Sequence, residues 1–253
     1  MKSRIMLAVM LLLAAPFLFG LEKKEHLSLD AQGIKHLEID AGAGFLKVVG
    51  INDLTNIEVE AEIIVRGMRE AKAEKFIKDK LELRLERFDH RARLVGKFKS
   101  YFSLFSWGER LCNLTVRVPK TIDLSIDDGS GSISLNQIEG KLKIDDGSGS
   151  IKIEDINGDL EIDDGSGGIE AAAIKGSVFI DDGSGEIRLQ NIEGDVRIDD
   201  GSGDINVDNI NGNVTLSDNS GSIWVDTVSK DVIIQDDGSG DVKISNVKGR
   251  VIK

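Results

Sequence analysis

The sequence predicts an all-β chain whose second half is a single-stranded parallel β-solenoid (a β-helix) of 18-residue rungs. A small α+β cap precedes it at the N-terminus. Three observations carry this prediction. The motif Ile-Asp-Asp-Gly-Ser-Gly begins at Ile126, Ile144, Ile162, Ile180 and Ile198, each 18 residues after the last. Aliphatic residues recur in columns at the same period, and glycine-bearing turns separate short stretches that alternate apolar and polar.

The columns fix the register. One reads Ile126, Ile144, Ile162, Ile180, Ile198, Leu216, Ile234, and another reads Ile133, Ile151, Ile169, Ile187, Ile205, Ile223, Val242. Stretches such as Ile151-Lys152-Ile153 and Leu160-Glu161-Ile162 have period two and belong to strands. A single rung is too small to enclose a core, so each strand must pair with its copy above and below at about 4.8 Å. β-branched residues at most core positions and two turns in every rung exclude a helical repeat. The period alone leaves open a cross-section of two faces or three. Leu216 opens a degenerate copy, and in the last copy Gln235 is inserted before Asp236.

The chain divides into three segments. Residues 1–20 read as a secretory signal peptide: Lys2 and Arg4 precede an apolar run from Ile5 to Phe19, too short for a membrane span of about 20 residues. Contact with a membrane is expected only if that segment is retained. Residues 21–120 hold strands, a short amphipathic helix over Arg69 to Lys80, a hairpin over Leu81 to Phe98 turning at Phe88-Asp89-His90, and an aromatic loop over Ser100 to Arg110. Residues 121–253 form the solenoid of seven repeats. Its basic last rung, with Lys243, Lys248, Arg250 and Lys253, discourages end-to-end stacking.

Charge narrows the function. The net charge is −12. From Thr121 onward, 28 acidic residues face 11 basic ones, and the preceding segment is net +5. An acidic rod repels phosphate backbones, so no nucleic-acid partner is expected. The single cysteine, Cys112, permits no intramolecular disulfide and lies in an alternating run as a strand-buried thiol.

No catalytic apparatus is expected. Ser130, Ser148, Ser166, Ser184 and Ser202 recur in one turn, and His26, His36 and His90 all lie outside the repeats. A nucleophile needs one particular base and orienter, whereas a repeated serine is turn chemistry. The paired aspartates are the sharpest feature. Asp127/Asp128, Asp145/Asp146, Asp163/Asp164, Asp181/Asp182 and Asp199/Asp200 are expected to stack as carboxylate rows. They either accept hydrogen bonds within their own turns, the favoured reading, or form a calcium ladder that adds stability without being required. No other cofactor is expected. Among outward positions, Trp224 and Lys243 fall in one column and Phe179 in the other, so these three are the expected ligand surface.

Val116-Arg117-Val118-Pro119 leading into Leu124-Ser125-Ile126 is followed by Gly-x-Ile and Ile-x-Gly-x-Leu units. Examples are Gly149-Ser150-Ile151, Gly203-Asp204-Ile205 and Ile192-Glu193-Gly194-Asp195-Val196. This pattern, over about residues 34 to 253, resembles the bacterial putative-adhesin domain family of unknown function, with its toastrack-like β-solenoid. The resemblance implies an extracytoplasmic protein of the periplasm, cell envelope or secreted fraction and carries no catalytic residues. The Asp-Asp-Gly-Ser-Gly turns are more acidic and regular than that pattern requires. The expected function is non-catalytic binding of an envelope protein or glycan, adhesin-like or as a scaffold. The alternatives are a regulatory or envelope-stress component contacting a membrane protein, and a polysaccharide-active β-helix enzyme.

Overall fold

The computed structural model describes residues 20–99 and 108–253. The expected signal segment up to Phe19 and the aromatic stretch from Ser100 to Trp107 lie outside the described residues. The repeats build a two-faced parallel β-solenoid, with two sheets of 11 strands each lying back to back. Sheet 1 takes the longer strand of each rung, such as Gly149–Ile156, and sheet 2 the five-residue strand, such as Leu160–Asp164.

Register is carried by the expected columns. Ile144 pairs with Ile126 on one side and Ile162 on the other, and Ile151 with Ile133 and Ile169. Each of these side chains is at most 3% exposed. The interior is a continuous double ladder of Ile, Leu and Val. Five buried aliphatic residues per rung contribute about 1.5–3 kcal/mol each, opposed by the chain entropy that ordering costs.

The turns explain the glycines. Gly167 adopts φ +146, and a Cβ there would lie 1.5 Å from the carbonyl oxygen of Gly149 one rung below. Backbones meet so closely at this corner that no side chain fits. The opposite turn relies on a different device. Gln137, Asp155, Ala173, Asn191, Asn209, Thr227 and Asn246 all hold φ between 54 and 61. This left-handed column tucks one residue out of the strand and lets the next aliphatic, Ile156 or Ile174, return to the core.

The helix forms at Glu70–Lys80, with Ala73 and Ile77 buried, and the hairpin at Leu81–Phe88 and Arg91–Phe98. Two further rungs come from this N-terminal part. His36–Ala41 and Ala43–Ile51 pair in parallel with Asp123–Asp128 and Ser130–Ile138, so Ile39 stands on Ile126 and Gly44 on Gly131. Arg91–Phe98 and Arg110–Pro119 lie beyond them as the outermost parallel rung. The stack therefore departs from chain order: the strand ending at Pro119 leads into the rung on the far side of residues 36–51. Antiparallel strands finish that end, Gly20–Asp30 and Asn56–Arg66 on sheet 1 and Leu81–Phe88 on sheet 2. They occupy strand edges that would otherwise template further pairing.

Candidate functional site

Alternation along the sheet 2 strand separates each aspartate pair. In Leu160–Asp164 the pattern is buried, exposed, buried, exposed, buried. Asp127, Asp145, Asp163, Asp181 and Asp199 face solvent, whereas Asp128, Asp146, Asp164, Asp182, Asp200 and Asp218 are 0–3% exposed. The two rows lie on opposite sides of the sheet. In the inner row, the Oδ1 of Asp146, Asp164, Asp182, Asp200 and Asp218 accepts the amide of the serine two residues on, at 2.8–3.2 Å. This is the turn chemistry expected of an Asx residue.

The second oxygen of each inner carboxyl is buried without a partner. Burial raises all six pKa values, with neighbouring aspartates adding to the effect at most positions. The Asp128 carboxyl reaches about 7 and those of Asp164, Asp182 and Asp200 about 6. Among the described residues, no group of three or more His, Cys, Asp or Glu side chains is placed to hold a metal ion. Cys112 is buried, and desolvation pushes its thiol up to about 12, which removes it from nucleophilic chemistry at neutral pH.

The outward positions form the other surface features. Trp224 stands on sheet 1 between Asn206 and Lys243, 36% exposed. Phe179 stands on sheet 2 between Glu161 and Arg197, 38% exposed. The structure thus brings Trp224 and Lys243 together and sets Phe179 apart on the opposite face. Phe45 and Phe88, exposed in the N-terminal part, were not read as ligand positions from the sequence; Phe45 stands on Ser132 in a column that continues as Ser150 and Gly168, and Phe88 ends a hairpin strand.

Phe179 lines a groove of about 760 Å³ that runs along the solenoid axis. The groove crosses successive sheet 2 strands from His36–Ala41, where His36 lines its end, to Val232–Asp236. One wall is the outward column Ser125, Lys143, Glu161, Phe179, Arg197, Thr215, Ile233. The other is the turn column Asp123, Lys141, Asp159, Ser177, Asp195, Asn213. That second wall is tied rung to rung: Asp123, Asp159 and Asp195 accept the amides of Lys141, Ser177 and Asn213 at 2.8–3.1 Å. The turn column is the part of the site that sequence reasoning missed. Its signal was present as a polar residue before each Leu or Val of the sheet 2 strand.

The charges of the groove are largely matched. Lys141 pairs with Asp159 at 3.5 Å, Lys143 with Glu161, and Lys230 with Asp195 at 3.9 Å. The Arg197 guanidinium lies 6.0 Å from the Phe179 ring centroid, within cation–π reach.

The sequence model of the family described as Toastrack DUF4097 matches residues 34–251. The chain matches none of the curated proteins. Among solved structures it is similar to a "putative lipid binding protein" from Parabacteroides distasonis, at 14% identity over 91% of this chain and 97% of that one, with a TM-score of 0.50. A "putative adhesin" from the same species aligns at 12% identity over 92% and 96%, TM-score 0.46. A "putative cell adhesion protein" from Clostridium sporogenes aligns at 13% identity over 91% and 97%, TM-score 0.38. At these identities the likeness concerns the fold alone.

Proposed function

The chain belongs to the Toastrack DUF4097 family, and from that premise we propose that it is a non-catalytic binding protein of the bacterial cell envelope, acting outside the cytoplasm. Its ligand lies in the sheet 2 groove. The observation that carries this reading is the groove itself: long, lined by matched charges and hydroxyls, with the exposed Phe179 ring partway along it. A binding site needs an apolar platform flanked by polar groups that orient the ligand, and both are present. The absence of catalysis follows from equivalence. Acid–base chemistry on a glycan requires two carboxylates in different environments. Here each aspartate of the outer row, from Asp127 to Asp199, occupies the same place in its rung as its neighbour, and the inner row is closed to substrate.

The test is cosedimentation of the purified chain with isolated bacterial envelopes. Phe179→Ala removes the platform, and Thr215→Arg fills the groove; both positions face outward, so the core is untouched. Retention of the wild-type chain and loss of both variants is the expected result. Equal retention of all three would overturn the assignment of the groove.

A further inference from the structure

We infer that the groove binds an extended, uncharged polysaccharide strand lying parallel to the solenoid axis, an inference that rests on the groove being the binding surface.

Four features select this ligand. The groove crosses strand after strand along the stack, so it takes a polymer and not a compact molecule. Rungs advance by about 4.8 Å, close to one sugar ring per rung in an extended glycan, so each ring meets the same two columns as its neighbour. The walls offer what sugar hydroxyls require: the Oδ2 acceptors of Asp123 and Asp195, whose Oδ1 atoms hold the next rung's amide, hydroxyls at Ser177 and Thr215, and an amide at Asn213. Phe179 supplies an apolar face for the C–H side of a ring.

Charge and backbone geometry disfavour other polymers. The cations of the groove are already engaged, Lys141 and Lys143 by carboxylates and Arg197 by the Phe179 ring. The exposed row Asp127, Asp145, Asp163, Asp181 and Asp199 borders the same face, so a polyanion would be repelled. An extended peptide gains affinity by adding a strand to a free sheet edge. Strands on this face, such as Leu142–Asp146, are paired on both sides and offer no such edge.

The experiment is calorimetric titration of the whole chain with neutral hexasaccharides of glucose, N-acetylglucosamine, xylose and mannose, each compared with its monosaccharide, at low and high salt. At least one hexasaccharide should bind equally at both salt concentrations, and its monosaccharide should not saturate the protein. Phe179→Ala should weaken that binding about tenfold, while Trp224→Ala, on the opposite sheet, should leave it unchanged. The inference is overturned if no hexasaccharide binds, if monosaccharide binds as well, or if Phe179→Ala binds like the wild type. A companion cosedimentation uses envelopes oxidised by periodate, which cleaves sugar diols, or digested with protease. Retention that survives periodate, fails after protease, is not competed by any of the hexasaccharides and still depends on Phe179 would refute the glycan and leave the groove standing.

Discussion

The inner aspartates make stability depend on pH in a direction opposite to ordinary acid denaturation. An unfolded aspartate titrates near 3.8, whereas the Asp182 carboxyl in the fold titrates at about 6, chiefly because burial disfavours its charged form. Between those values the folded chain holds a proton that the unfolded chain has released. The stabilisation is therefore complete below about pH 4 and is lost as pH rises through about 6. For one carboxyl this amounts to about 3 kcal/mol. Neighbouring charges one rung apart repel by a similar amount, about 3 kcal/mol at an effective dielectric of 20, so the column titrates as a coupled set and its total is less than a simple sum. The perturbation that isolates the effect is Asp182→Asn. Its carbonyl oxygen can keep the bond from the Ser184 amide, and its NH2 group enters the column between the unpaired oxygens of Asp164 and Asp200. The variant should be more stable than the wild type at pH 8 by about 1–3 kcal/mol, with a melting temperature about 2–10 °C higher. The advantage should vanish near pH 4.5. Thermal and urea unfolding from pH 4 to 8.5 would measure both. A variant less stable than the wild type at pH 8, or a gain that persists unchanged at pH 4.5, would refute the reasoning. Carboxyls with the opposite shift limit the acid side: Glu62, held low by the Asn113 amide, and Asp231, held low by Arg250, lose their contribution as pH falls below the usual carboxylate range.

Further outcomes follow from the turns and the outer row. Gly167→Ala forces a Cβ into the Gly149 carbonyl at φ +146 and should cost at least about 3 kcal/mol, read as a fall in the urea midpoint. Ala173→Asn should instead stabilise by about 0.5–1 kcal/mol, because Ala173 holds φ 57, asparagine tolerates it better, and Asn191 and Asn209 already bond in that column at 2.6 Å. The exposed aspartates repel by about 1 kcal/mol per step in water. Calcium and magnesium at equal concentration should therefore raise the melting temperature by the same few degrees through screening, and a rise specific to calcium would reveal a chelating ladder instead.

The solenoid was legible because each rung repeats one physical problem. The register of Ile126, Ile144 and Ile162 can be read directly, since any other pairing would send half of each column to solvent. The same period-two rule places Asp163 outside and Asp164 inside, yet two adjacent acids read as one acidic turn until their alternation is followed past the isoleucine. The left-handed turn column was hidden because its residues are Gln, Asp, Ala, Asn and Thr, with no glycine to mark it. Of the two N-terminal rungs, the first is a weaker echo of the repeat, with strands at Leu37-Glu38-Ile39 and Leu46-Lys47-Val48, but its place in the stack was hidden for a topological reason. The strand Asn56–Arg66, the helix and the strand Leu81–Phe88 separate them, and the later one in sequence stacks outside the earlier. For the candidate site, Phe179 was legible as an outward aromatic, but its turn-column wall comes from a residue type that changes at every copy.

That variation bears on where specificity is encoded. Inside the stack, substitution is confined to aliphatic exchange, because each core residue must fit the copies above and below it. The corner glycine is fixed by the backbone of the preceding rung. Only outward columns escape the constraint, and there this chain departs from its own repeat: Ser125, Lys143, Glu161, Phe179, Arg197, Thr215 and Ile233 share one structural position and almost no chemistry. Phe179 and Trp224 are the two aromatic residues from Thr121 to the end, and both occupy such columns. A ligand reading sheet 2 therefore meets a different side chain every rung against an unvarying frame. Exchanging Phe179 with Thr215 would keep composition and fold while moving the aromatic platform two rungs along the axis, so a bound polymer should shift with it and a compact ligand should be lost.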